Sequence, residues 1–158
     1  MDAFQIEQCI GKLEDSVEVS QLLKELGVTK KLKPNGAEDT VVKLESLGLR
    51  LTFQRATPKT SQLKLLGVQF VTEGNGFKAY AGALPWGLKW SDSKQDVYAK
   101  LGKPMPLDDD DDDDDEDIDM RIDNWVKSGV QATVKYSLDH SELKWVILAI
   151  PYEEYAKR

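Results

Sequence analysis

The chain has 158 residues, with 28 acidic and 21 basic side chains and a net charge of −7. Eleven of the acids lie between Asp108 and Asp119; outside that segment 17 acids face 21 bases. A broad basic surface for nucleic acid is therefore disfavoured. One cysteine and one histidine exclude an internal disulfide, a cysteine zinc cluster and a two-histidine metal site.

At the N-terminus Ile6, Cys9, Ile10 and Leu13 recur at helical spacing and predict an amphipathic helix. Cys9 falls on its apolar face and reads as a buried thiol. Ser16 is an N-cap for a second helix, whose face is Val19, Leu22, Leu23 and Leu26, with Gly27 as its left-handed stop. Pro34-Asn35-Gly36 marks a turn.

The period then changes from 3.6 to 2. Leu49 to Gln54 alternates as a half-buried strand. Leu63 to Thr72 reads as another, and Phe77 to Tyr80 as a short one after the Gly74-Asn75-Gly76 turn. Trp86 and Trp90 sit in the following connection and are expected in the core. Ser93 and Asp96 have capping-box spacing ahead of a helix with Val97, Tyr98 and Leu101, which Gly102 and Pro104 end. Strands are predicted from Met120 to Val126, Gly129 to Ser137 and Leu143 to Ile150. His140, in Asp139-His140-Ser141, falls in the turn between the last two.

The halves match in order. Glu25-Leu26-Gly27 corresponds to Lys100-Leu101-Gly102, the strand from Gly48 to that from Gly129, and Ser61-Gln62-Leu63-Lys64 to Ser141-Glu142-Leu143-Lys144. The expected fold is α+β: two related units, each a helical segment followed by an antiparallel meander, with the helices packed on one side of the sheet. Residues 1–83 form the first, more degenerate unit. Residues 84–158 form the second, which carries an acidic insertion at 108–119. Together they make one compact body.

Gly87-Leu88-Lys89-Trp90-Ser91-Asp92-Ser93, followed by Val97 and Leu101-Gly102-Lys103-Pro104, resembles the repeat of β-lactamase-inhibitor-protein type and of the small lipoprotein of outer-membrane barrel assembly. Ser91 stands where that pattern usually has glycine. The arrangement is similar to bacterial toxin-immunity-type proteins. The resemblance implies a helix-on-sheet fold, and binding rather than catalysis. A non-catalytic inhibitor is therefore expected, most concretely an immunity protein that occludes a toxin's active site. An assembly or scaffold module is the alternative, as is a cation-responsive protein acting through the Asp-rich loop.

Eight consecutive aspartates, Asp108 to Asp115, repel one another and cannot all be buried. Asp110, Asp112 and Asp114 represent a solvated loop that steers the chain toward a partner with a basic site. The run lacks the glycine and ligand spacing of an EF-hand, so no metal and no cofactor is expected.

Strand parity groups Leu66, Val68 and Phe70 with Val146, Leu148 and Ile150 as the helix-covered face. It leaves Leu65, Gly67 and Gln69 with Trp145, Ile147 and Ala149 on the other. Gln131, Thr133 and Lys135 are expected on that open face, as are Arg121, Asp123 and Trp125. Two tryptophans framed by polar groups form the expected partner-binding surface, the alternative being that Trp125 and Trp145 close a second minor core. No signal segment or membrane-spanning run is visible, so a cytoplasmic protein that meets neither nucleic acid nor membrane is expected.

Overall fold

The computed structural model describes residues 3–35, 39–105 and 122–151. The aspartate run, expected to be a solvated loop without fixed order, lies outside them.

Helix α1 (Ala3–Glu7) is shorter than its apolar spacing predicts. Gly11 takes φ +84°, and the chain then runs beside a strand instead of continuing as helix. The Gly11 amide donates to Leu65 O (2.7 Å), the Leu65 amide to Lys12 O (2.9 Å) and the Glu14 amide to Leu63 O (2.8 Å). Leu13 thus pairs with Lys64, because a buried strand needs partners for its polar backbone.

Helix α2 (Val17–Glu25) begins as expected, with Ser16 Oγ accepting from the Val19 amide at 3.2 Å, and buries Val19 and Leu22. Helix α3 (Lys94–Leu101) carries the complete capping box. Ser93 Oγ accepts from the Asp96 amide, and Asp96 Oδ2 from the Ser93 amide. A short 3₁₀ turn (Pro85–Gly87) precedes it.

The strands are β1 (Thr40–Leu44), β2 (Leu49–Arg55), β3 (Leu63–Val71), β4 (Ile122–Lys127), β5 (Val130–Tyr136) and β6 (Leu143–Ala149). They form a single antiparallel sheet in the order β1-β2-β3-β6-β5-β4. The α+β class holds. β1 was not expected, and Phe77–Tyr80 is not a strand: Gly74 and Phe77 exchange backbone hydrogen bonds and close a tight loop there.

Two register shifts set which side chains face the helices. Phe53 pairs with Leu65 and Thr52 with Gly67, which leaves Leu66 without a partner across the β2–β3 ladder. Tyr136 pairs with Leu143 and Lys135 with Trp145, which leaves Lys144 unpaired in the same way. Each extra residue changes the phase of the strand. Leu63 and Leu65 are therefore buried on the same side as Val68 and Phe70, while Leu66 is only half-buried. The expected parity is corrected here for Leu65 and Leu66. It stands for Val68, Phe70, Val146, Leu148 and Ile150, all buried. The core joins these residues to Val19, Leu22, Val97 and Leu101 from the helices. Trp86 and Trp90 are partly buried against it, their indole N–H groups donating to Glu7 Oε1 (2.7 Å) and Tyr80 O (3.1 Å).

In the β5–β6 turn Asp139 Oδ1 accepts from the Ser137 and Ser141 hydroxyls and from the Ser141 amide. These donors favour the ionised carboxylate and hold it down to about 2. A depressed carboxylate adds stability above its ordinary value, and that contribution is lost as pH falls through the folded value. Asp139→Asn should therefore lower the thermal midpoint at about pH 6 and differ little from the wild type at about pH 2. The bulge has its own check. Leu65→Ala should cost about 2–5 kcal/mol in denaturant unfolding and Leu66→Ala less than half as much; equal costs would contradict the phase change.

Candidate functional site

The β4–β5 hairpin decides which residues reach the open face. Ser128 (φ +52°) and Gly129 (φ +79°) both take left-handed backbone, the two-residue turn that matches the strands' twist. Lys127 then pairs with Val130, and Trp125 with Ala132. Because Ala132 faces the helices, Trp125 does too.

Trp125 is 3% exposed. Its indole N–H donates to Gly102 O at 3.1 Å, and its ring meets Tyr98 edge-on with centroids 6.1 Å apart. The expectation that Trp125 belongs to the open face is corrected: it is a core residue beneath the end of α3. Asp123 is corrected for the same reason. It lies on the helix side, where Tyr98 donates to Oδ2 at 2.9 Å and Lys94 Nζ is 4.0 Å from the same oxygen. Lys94 Nζ also stands 5.9 Å from the Tyr98 ring and 5.6 Å from the Tyr136 ring. Burial, together with the Asp123 carboxylate, pushes the Tyr98 hydroxyl up to about 12 and Tyr136 well above the usual tyrosine range. Tyr136 Oη is buried without a hydrogen-bond partner among the described residues. This cluster ties α3 to β4 and β5.

The open face does carry Trp145 and Lys135. They are cross-strand neighbours, and Lys135 Nζ stands 6.0 Å from the Trp145 ring centroid. Ile147 and Ala149 continue the apolar row along β6, both half-buried. Ladder pairing sets Thr133 beside Ile147, and Gln131 beside Ala149. From β4 it is Ile122, Asn124 and Val126 that reach this face, and Asn124 Oδ1 accepts from Thr133 Oγ1 (2.6 Å) and Gln131 Nε2 (3.3 Å). Gln69 and Val71 of β3 lie beyond Ile147 and Trp145. Apart from Gly67, the paired residues of this face are half-buried or exposed. Arg121, Asp110, Asp112 and Asp114 lie outside the described residues.

The sequence reading thus missed Ile122, Asn124 and Val126, and on the other half Lys43, Arg50 and Lys64. The Ser128-Gly129 turn could have found the first three, since a two-residue hairpin loop sets the register of both strands. Nothing as local marks the others, which depend on the unexpected strand β1 and on the bulge at Leu66.

Elsewhere, a cleft of about 270 Å³ between α1 and α2 is lined by Gln5, Cys9, Val17 and Leu22 among others. The Cys9 thiol is raised by burial and by nearby Glu18, and it donates to Gln5 O and Glu18 O at 3.4 Å. A thiol held protonated is a poor nucleophile. Among the described residues no group of three or more His, Cys, Asp or Glu side chains is placed to hold a metal ion.

Trp125→Ala should cost about 3–5 kcal/mol of folding stability, and Trp145→Ala less than half of that. The two thermal or denaturant transitions measured side by side give the check.

No protein-family model and no curated protein matches the sequence. Among solved structures, an extracellular protein containing a SCP domain from Bacillus anthracis str. Ames is similar in fold, with a TM-score of 0.55 and 15% identity over 94% of this chain. The chain spans 46% of that protein's length. The likeness overturns the cytoplasmic expectation, since the fold occurs in an extracellular protein.

Proposed function

We propose that the chain is a non-catalytic protein-binding module whose open sheet face seats against a partner protein. The observation that carries this reading is the Trp145 face. An apolar row, Trp145, Ile147 and Ala149, runs through its middle and is continued by Val71, while Gln69 on one side and Gln131, Thr133 and Lys135 on the other flank it. That is the anatomy of an interface, an apolar centre within a polar rim. Trp145 is its natural anchor, since a tryptophan combines large contact area with few rotatable bonds. The more specific form is an inhibitor that blocks a bacterial toxin by occlusion, and it comes from the repeat resemblance. Rigid strands suit occlusion, because little conformational entropy is lost on binding.

We also read the chain as two related units. The mirrored bulges at Leu66 and Lys144 support this. So do two backbone bonds: the Leu65 amide donates to Lys12 O, and the Leu143 amide to Trp90 O, each acceptor shortly before a helix-capping serine. On this reading Leu143 corresponds to Leu65, not to Leu63.

The inhibitor form is tested by capture of the adjoining gene's product on the immobilised chain. Retention is expected, with Trp145→Ala weakening it by about 2 kcal/mol or more, roughly thirtyfold. Retention unaffected by that substitution, or no binding and no protection by the folded chain, would contradict it.

A further inference from the structure

We infer that the open face receives an acidic protein surface, opposite in sign to the basic site that the aspartate run was expected to meet. This rests on the protein-binding reading of that face and adds the partner's chemistry to it.

The pairing sets Lys43 directly opposite Arg50, and Lys64 and Lys135 share their face. No aspartate or glutamate occupies a paired position on this side of the sheet. Outside the Asp108–Asp119 segment the chain carries 17 acids against 21 bases, so the excess of cations there is concentrated on a face without a paired acid. Like charges across a ladder repel and weaken the strand pair. Among the described residues Lys43, Arg50 and Lys64 have no ion pair or hydrogen-bonding side-chain partner to offset this. A carboxylate lying between Lys43 and Arg50 would convert that repulsion into two attractive contacts, and the planar fork of an exposed arginine can hold it through two hydrogen bonds. Single-stranded nucleic acid fits less well. It stacks successive bases on several rings, whereas Trp145 is the single aromatic ring at the paired positions of this face.

The test is an NMR titration of the full chain with an oligoglutamate peptide, an oligolysine peptide of the same length, and oligothymidylate. Oligoglutamate should shift the Trp145 indole and the Arg50 and Lys135 amides, and its affinity should fall as salt rises. The double variant Arg50→Glu/Lys135→Glu should lose roughly tenfold or more in affinity, while Lys59→Glu, an exposed cation in the β2–β3 connection, should change it by less than about twofold. Arg50→Glu puts a carboxylate opposite Lys43, which offsets the loss of the Lys135–Trp145 contact, so the double variant is expected to fold. Preference of the face for oligolysine, tighter binding of oligothymidylate there, or an equal loss in Lys59→Glu would overturn the inference. If a partner released by Trp145→Ala still binds the double variant, the acidic complement is wrong and the protein-binding reading survives. If oligoglutamate behaves as described and Trp145→Ala releases no partner, the acidic preference stands and the protein-binding reading falls.

Discussion

Leu66 has no partner across the β2–β3 ladder and Lys144 none across the β5–β6 ladder, and the separation of the sheet into two unlike faces depends on that. A strand alternates with period 2, so a long apolar strand that stays regular must divide its apolar residues between both faces. One extra residue resets the phase. In β3 it sends Leu63 and Leu65 to the same side as Val68 and Phe70; in β6 it does so for Leu143, Val146 and Leu148. Strands β3 and β6 are central and pair with each other, so both halves of the core are aligned on one side by the same device. The other side is left with Gly67, Gln69, Trp145, Ile147 and Ala149, a mixed surface rather than a second core.

The helix side is closed by different means at its two ends. Around α2 the contacts are apolar, through Val19 and Leu22. Around α3 they include a half-buried polar group: Asp123 holds the Tyr98 hydroxyl and faces Lys94, whose ammonium lies near two tyrosine rings. Such a carboxylate needs donors close by, because removal from water disfavours its charge. Tyr98 supplies one and Lys94 a counter-charge. Trp125 completes the join through Gly102 O, so an indole also binds the end of α3 to β4, beside the backbone bond from the Met105 amide to Asn124 O. This explains why the tryptophan that parity offered as a binding anchor is a structural one.

Much of the fold was legible because it is written in local patterns. The Ser93 and Asp96 capping box, the Ser16 cap and the alternations at Leu49–Gln54 and Val130–Tyr136 need no tertiary information. The parity of Leu65 and Leu66 was not legible, since nothing within Leu-Lys-Leu-Leu-Gly-Val marks which residue is left out of the ladder. β1 was missed because a five-residue edge strand, with two residues exposed and none buried, carries little periodicity. Of the open face, Trp145, Lys135, Thr133 and Gln131 were placed from alternation alone. Trp125 and Asp123 were misplaced by one residue of register, and a shift of one reverses every side chain of a strand. Cross-strand neighbours such as Lys43 and Arg50 have no sequence signal of their own, because their meeting is a property of the pairing.

On the binding proposal, the rigidity of this surface would come from the ladder, its anchor from Trp145, and its selectivity from cations that meet no acid on their own face. The central claim is that the helices cover one face of the sheet while the other meets solvent. Hydroxyl-radical footprinting of the tryptophans in the isolated chain tests it most directly. Trp145 should be oxidised several times faster than Trp125, roughly in line with their burial. Equal rates, or faster oxidation of Trp125, would contradict the assignment of the two faces.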